Sequence, residues 1–143
     1  MTKNTYLVKM RIAEPLVIQT PSDAVAVFRA ELPKVQKEER VWVLPLDANG
    51  KMLAKPIVTS VGSENGTTAI DAGAIFRVAL KADAEEIIVA HNHPSGDLKP
   101  SKADLAATKE LKDLSERLDV NFLDHLILGD SSDFVSLDEM GLM

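Results

Sequence analysis

The sequence contains no cysteine, and this absence excludes several classes of site. Disulfide bonds, thiolate metal ligands and a cysteine nucleophile are all ruled out, and cysteine usage gives no indication of the redox compartment. The sequence also lacks an apolar run long enough to span a membrane, and no apolar segment follows the N-terminal residues Met1–Asn4. We therefore expect a cytoplasmic protein with no membrane partner.

Positive charge is scarce as well, since the formal net charge is −6. Extended contact with a phosphate backbone needs a clustered excess of lysine and arginine. Lys34, Lys37 and Arg40 lie close together, but Glu38 and Glu39 lie among them. We expect a solvated face there, and no nucleic-acid partner.

The length and composition predict one globular domain. The chain has 143 residues, of which 45% are hydrophobic and 27% charged, which is enough to bury a sizeable core. No repeat, low-complexity segment or linker divides it. We therefore treat residues 1–143 as a single domain.

Strand-like and helix-like segments alternate along the chain. Strands are predicted at Tyr6–Val8, Arg40–Asp47, Met52–Val58, Glu86–Ala90, Val120–Leu128 and Phe134–Ser136. Helices are predicted after Ser22 or Asp23 as N-cap, over Ala72–Lys81 with Asp71 as N-cap, and from Pro100-Ser101 to about Leu118. A tight turn is expected at Asp47–Gly50 and a loop at Gly62 and Gly66. The pattern predicts a mixed α/β fold, with helices packed against one central sheet.

Hydrophobic spacing also predicts which side of each segment is buried. Glu86–Ala90 has no polar alternation and should be buried on both faces. The inner faces of the second and third helices are predicted to carry Ile75, Phe76, Ala79 and Leu80, and Leu105, Leu111, Leu114 and Leu118.

Two histidines lie two residues apart, directly after the apolar run that ends at Ala90. Side chains at i and i+2 of an extended chain point to the same side, so His91 and His93 can bind one cation. Asp104 offers a third ligand from the next segment. Two histidines and one carboxylate leave a fourth position open for water, which is typical of a catalytic zinc site. The residues therefore predict a zinc hydrolase.

Each of these residues also has a structural interpretation. Ser101 and Asp104 have the spacing of a helix capping box, and capping would itself aim Asp104. The segment Ser95-Gly96-Asp97 is expected to form a turn in which Gly96 takes a positive φ. His125 is expected to be a buried, hydrogen-bonded imidazole, although a site with three histidines remains an alternative.

The histidine segment resembles a known motif. His91-Asn92-His93-Pro94-Ser95-Gly96-Asp97, followed by Pro100-Ser101-x-x-Asp104, resembles the motif of the JAB/MPN (JAMM) metallopeptidases, and in particular its RadC-type branch. Asp124–Gly129 resembles the DHxIxG strand of that branch, and Leu46-Asp47 the end of its first hairpin. The resemblance covers about residues 38–136. It implies the JAB/MPN (cytidine-deaminase-like) α/β fold.

The resemblance also implies a site and an activity. One zinc ion (Zn²⁺) would be held by His91, His93 and Asp104, and Ser101 would steady the tetrahedral intermediate. A glutamate at the start of an upstream strand would act as general base; both Glu38 and Glu39 qualify, and counting back from Leu46-Asp47 favours Glu39. The implied reaction is hydrolysis of a peptide, isopeptide or other amide bond by a metal-activated water. The alternatives are an inactive zinc-bearing scaffold and a DNA-associated accessory factor.

Two departures from the RadC-type pattern are visible. The segment before Glu38 is too short for the N-terminal helix-hairpin-helix region of that branch, so we expect that region to be absent. The Pro-Arg-Glu expected before the middle helix is replaced by Ala72-Gly73-Ala74. Both differences weaken the interpretation as a DNA-associated factor and leave the predicted metal ligands unchanged.

Overall fold

The computed structural model describes residues 16–33, 37–63, 70–130 and 132–143. The described residues form three helices and five strands. The helices are α1 (Pro21–Arg29), α2 (Ala72–Lys81) and α3 (Lys102–Leu118). The strands are β1 (Glu38–Leu46), β2 (Ile57–Ser63), β3 (Glu86–Asn92), β4 (Asn121–Leu128) and β5 (Phe134–Ser136). The predicted strand Tyr6–Val8 and the predicted loop residue Gly66 lie outside the described residues.

The five strands form one mixed sheet in the order β2-β1-β3-β4-β5. Strands β3 and β4 are parallel, and the other neighbours are antiparallel. Strand β3 lies in the centre, and every residue after Glu86 is buried, which confirms the expected burial on both faces. The predicted mixed α/β fold is therefore confirmed. In the described parts of the chain, no helix is both long and apolar enough to cross a bilayer.

Helices cover both faces of this sheet because alternate residues of each strand point to opposite sides. Helices α2 and α3 pack against the face that carries Val41, Val43, Ile87, Val89 and Phe122. Helix α1 packs against the other face, which carries Trp42, Leu44, Leu46, Ile88 and Leu126. His91 continues the alternation of Ile87 and Val89, and so the end of β3 presents His91 on the α3 side.

The first helix begins earlier than its predicted caps. Its N-cap is Thr20, whose hydroxyl accepts a hydrogen bond from the amide of Asp23 at 3.2 Å. The Asp23 carboxylate accepts in return from the amide of Thr20 at 3.1 Å. The prediction of Ser22 or Asp23 as N-cap was wrong because Pro21, which needs no amide hydrogen bond, occupies the first turn.

The strand paired with β1 begins later than predicted. The turn at Asp47 forms, with the Gly50 amide donating to the Asp47 carbonyl at 3.1 Å. Met52 then forms an isolated antiparallel bridge with Leu46, while its amide donates to the Leu16 carbonyl at 2.9 Å. The prediction of Met52–Val58 as hairpin partner is therefore confirmed at its two ends, because Ile57 and Val58 also pair with β1, but continuous pairing begins only at Ile57. Gly62 lies inside β2, opposite Glu39, instead of in a loop.

The buried faces of two helices also differ from the predictions. Leu80 is 53% exposed, and Leu105 and Leu118 are 37% and 39% exposed. The predicted inner-face positions Ile75, Phe76, Ala79 and Leu111 are buried. The buried residues of α3 are Asp104, Thr108, Leu111 and Ser115. Hydrophobicity identified Leu111 correctly, and Leu114 packs against the core as predicted. It missed the rest of the buried stripe of α3 because those residues are polar.

Candidate metal centre

The two predicted histidines meet at the end of β3. His91 is fully buried, and its Nε2 atom lies 2.9 Å from Nε2 of His93. The chain turns directly after them, and the Gly96 amide donates to the His93 carbonyl at 2.9 Å. Gly96 has a φ of +85°, which confirms the predicted turn and explains the glycine.

The first turn of α3 brings Asp104 to these nitrogens. Ser101 is the N-cap: its hydroxyl accepts from the Asp104 amide at 3.0 Å, and its amide donates to the Asp104 carboxylate at 2.9 Å. The same carboxylate lies 3.4 Å from Nε2 of His91 and 3.5 Å from Nε2 of His93. The capping interpretation is thus confirmed, and capping holds Asp104 beside both histidines.

The two candidate glutamates are placed differently. Glu39 lies on the side of β1 that carries Val41, and Val41 is paired with His91. The carboxylate of Glu39 and one ring nitrogen from each of His91 and His93 all lie within 4.8 Å of one another. Glu38 is exposed instead, with its carboxylate 3.6 Å from the Arg40 guanidinium. Only Glu39 therefore faces the site, and its role as base stays a prediction.

Asn92 fastens the start of β1 to the end of β3. Its side-chain oxygen accepts from the Arg40 amide at 2.7 Å, and its side-chain nitrogen donates to the Glu38 carbonyl at 3.0 Å. These two backbone groups flank Glu39, and Asn92 is 1% exposed. Asn92 was not among the predicted site residues. Its position between the two histidines at the end of a strand could have indicated that it supports the site.

A third histidine lies behind the first. His125 is fully buried, with Nε2 2.8 Å from Nδ1 of His91 and Nδ1 2.7 Å from the Thr108 hydroxyl. Both ring nitrogens are thus engaged, as expected for a satisfied imidazole and not for a third histidine ligand. Thr108 was missed by the sequence analysis, although its position four residues after Asp104 places both on one helix face.

The local charges shift several pKa values. Burial raises the pKa of the Glu39 carboxyl, and the neighbouring His91 and His93 only partly oppose this. Burial acts the same way on the pKa of Asp104, but hydrogen bonds that His91 and His93 donate whenever their Nε2 atoms carry protons outweigh burial and hold this pKa well below the usual range. The bond to Asp104 raises the pKa of His93. Burial lowers the pKa of His125 to about 3, so that ring is neutral at pH 7.

The donor atoms of this cluster fit a zinc ion. Nδ1 of His93 lies 2.5 Å from the Asp97 carbonyl, which can only accept, so the ring proton is on Nδ1 and Nε2 carries a lone pair. A second imidazole nitrogen and the Asp104 carboxylate face that lone pair, and such acceptors repel one another unless a proton or cation lies among them. Ligand atoms of a tetrahedral zinc lie about 3.3–3.5 Å apart. The distances from Asp104 to the two histidines, 3.4 and 3.5 Å, match this spacing, and the two Nε2 atoms, 2.9 Å apart, are closer together than that.

Comparison with known proteins identifies the class of domain to which this chain is similar. The sequence model of the RadC-like JAB domain matches residues 18–142. UPF0758 protein tlr1707 of Thermosynechococcus vestitus is 42% identical over 91% of this chain and 50% of its own length. The UPF0758 protein of Flavobacterium johnsoniae is 35% identical over 85% of this chain and 52% of its own length. A third relative, UPF0758 protein Cyan7425_1778 of Cyanothece sp., is 39% identical over 83% of this chain and 48% of its own length.

These matches establish a JAB-type domain, as the histidine motif indicated. More narrowly, the chain belongs to the RadC-like JAB domain family. The chain spans about half the length of the curated relatives it matches.

Proposed function

We propose that this domain is a zinc-dependent hydrolase of peptide or isopeptide bonds. The observation that carries the proposal is the convergence of Glu39, His91, His93 and Asp104 at the end of the central strand β3. His91, His93 and Asp104 would hold the zinc ion, leaving Glu39 free for proton transfer. A bound zinc ion in such a site lowers the pKa of water and polarises a carbonyl group.

Glu39 would act as the general base. Its carboxylate would accept a proton from the attacking water and return it to the leaving amine. A base works best when its pKa lies near the working pH. The burial that raises the pKa of Glu39 therefore favours this role. Asn92 would hold the carboxylate in place, because it fastens the backbone on both sides of Glu39.

Ser101 would support the oxyanion that forms on the substrate carbonyl. In the helix cap its hydroxyl oxygen accepts from the Asp104 amide, which leaves the hydroxyl proton free to donate. A donor aimed at a developing oxyanion contributes about 10²–10³ in rate. No nucleophilic side chain is required, in agreement with the absence of cysteine.

The proposed substrate is a polypeptide and not a nucleic acid. The net charge of −6 disfavours extended contact with phosphates. The alternative is a scaffold that binds zinc through the same residues without turning over a substrate.

The test is hydrolysis by zinc-loaded protein of a library of peptide and lysine-isopeptide substrates. We expect cleavage by the wild type and none by Glu39→Gln, which cannot accept the proton. The matched control is Glu38→Gln, because Glu38 is the adjacent carboxylate that faces Arg40. Zinc binding without cleavage of any library member would overturn the hydrolase proposal in favour of the scaffold.

A further inference from the structure

A continuous chain of buried hydrogen bonds runs from the backbone of α3 to the first candidate ligand. The Thr108 hydroxyl lies 2.8 Å from the Asp104 carbonyl and 2.7 Å from Nδ1 of His125. Nε2 of His125 lies 2.8 Å from Nδ1 of His91. His91 and His125 are fully buried and Thr108 is 1% exposed, so water does not compete for these bonds.

The chemistry of these groups fixes the direction of the chain. A carbonyl oxygen can only accept, and a threonine hydroxyl has a single proton, so Thr108 donates that proton to Asp104. The Thr108 oxygen must then accept from His125, which places the His125 proton on Nδ1. Because His125 is fully buried with an uncharged hydroxyl on its other side, a second ring proton is disfavoured and Nε2 is left as an acceptor. Only a proton on Nδ1 of His91 can satisfy that acceptor.

We infer that Thr108 and His125 are positioning residues that fix the His91 proton on Nδ1 and so present the lone pair of Nε2 to the metal. The inference rests on the metal site proposed above. The reverse direction would put a proton on Nε2 of His91, pointing at the Asp104 carboxylate 3.4 Å away, and would block metal binding.

The two candidate ligands are thus oriented in different ways. His93 donates its Nδ1 proton directly to the backbone carbonyl of Asp97. His91 donates through His125 and Thr108 to the carbonyl of Asp104, whose own side chain belongs to the site. Partners that orient a histidine ligand in this way typically change metal affinity about 10–100-fold when removed. These hydrogen bonds therefore make the orientation of His91 depend on the same turn of α3 that supplies Asp104.

The first test measures zinc affinity by competition with a chelator. Thr108→Val keeps the shape of the side chain but removes the hydroxyl, so His125 loses the partner that fixes its proton. We expect about 10–100-fold weaker zinc binding. Thr108→Ser restores the hydroxyl and should bind zinc nearly as well as the wild type.

A matched control separates this effect from damage to the helix. Ser115 is also buried in α3, and its hydroxyl donates to the Lys112 carbonyl at 2.7 Å, away from the site. Ser115→Ala should leave zinc affinity unchanged. If Thr108→Val binds zinc as tightly as the wild type, or no more weakly than Ser115→Ala, the inference is overturned.

The second test reads the proton positions directly. The chain has only three histidines, so ¹⁵N-labelled histidine gives an NMR spectrum that can be assigned by substitution. We expect His125 to be neutral with its proton on Nδ1, in both zinc-free and zinc-loaded protein. A proton on Nε2 of His125 would overturn the inference. If the wild type binds no zinc, the proposed function fails instead, while the zinc-free spectrum still decides the direction of the hydrogen bonds.

Discussion

Two aspartates of this domain are buried to the same extent but have different hydrogen-bonding partners. Asp104 is 7% exposed and Asp124 is 6% exposed. Asp124 accepts hydrogen bonds from the amides of His125 and Asp138 and from the Ser136 hydroxyl, at 2.8, 3.1 and 2.6 Å. Asp104 instead faces Nε2 of two histidines.

The difference shows that hydrogen-bonding partners, and not burial, set the opposite pKa shifts of the candidate ligand Asp104 and the structural carboxylate Asp124. Burial raises the pKa of Asp124, because its neutral donors only partly compensate for the lost hydration. The histidines beside Asp104 overcome the same effect and lower its pKa. The donors around Asp124 join β4 to β5 and to the residues that follow, and so Asp124 holds the end of the chain together. Asp104 is held by a helix cap and directed at groups that can share a cation.

The largest expected effect comes from replacing each aspartate by asparagine. Asp104→Asn removes a proposed ligand and should lower zinc affinity by more than about 100-fold, with hydrolysis lost in parallel. Asp124→Asn should leave zinc affinity unchanged but lower the free energy of unfolding by about 1–3 kcal/mol, since buried donors lose a charged acceptor. Calorimetric zinc titration and urea unfolding measure the two effects. The comparison fails if both variants lose zinc affinity equally.

The adjacent glutamates extend the comparison to catalysis. Glu39→Gln should keep zinc and lose about 10²–10⁴ in kcat, the usual contribution of a general base. Glu38→Gln should retain nearly full activity, because Glu38 faces Arg40 and not the histidines. Single-turnover kinetics with zinc content measured on the same samples provide the check. Loss of turnover in Glu38→Gln but not in Glu39→Gln would mean that the assignment is wrong by one residue.

Replacing Asn92 tests whether a neutral buried side chain contributes both to the free energy of unfolding and to catalysis. Asn92→Ala removes two hydrogen bonds to the backbone beside Glu39 and should cost about 1–3 kcal/mol of unfolding free energy. It should also lower kcat more than it raises KM, because Glu39 loses its support. Asn121→Ala, on the exposed start of β4, is the control and should change neither quantity. Equal unfolding free energies for wild type and Asn92→Ala would contradict this account.

The smallest effect is the pH dependence of stability in zinc-free protein. The folded pKa of Asp104 lies below the ordinary aspartate value of 3.8, so its stabilising contribution is complete above that pH and declines as the pH falls toward the folded value. The folded pKa of Asp124 is raised, so its contribution is complete below 3.8 and is lost as the pH rises through the folded value.

Urea unfolding of the wild type and the two asparagine variants between about pH 3 and pH 6 measures how each carboxylate contributes to the free energy of unfolding. As the pH falls, the stability of the wild type relative to Asp104→Asn should decrease. Over the same range its stability relative to Asp124→Asn should increase. Parallel slopes for the two variants would show that the two carboxylates do not differ in the way described.

Much of the fold could be predicted from local signals. The helix α2 and its Asp71 cap, the central strand β3 and the capped start of α3 all follow from hydrophobic spacing and capping residues. The errors arose where long-range contacts override local preference. Residues 53–56 interrupt the predicted partner strand, and α3 buries Thr108 in place of Leu105 because a buried histidine needs a polar neighbour.

The site was partly predictable for the same reason. His91, His93 and Asp104 are close in sequence, so their spacing alone suggested a common ligand. Glu39 comes from a different strand, and it was preferred over Glu38 only by counting back from Leu46-Asp47. The register of β1 against β3 is what places Glu39 on the side of the histidines. Thr108 and His125 act through hydrogen bonds between separate elements, which no local pattern specifies.

The most direct test of the central claim is a crystal structure of the zinc-loaded protein with an anomalous difference map above the zinc absorption edge. We predict one peak per chain, bonded to Nε2 of His91, Nε2 of His93 and the carboxylate of Asp104. Glu39 should lie nearby without bonding to the ion. The absence of a peak there, or a peak bonded to Glu39 in place of Asp104, would contradict the account.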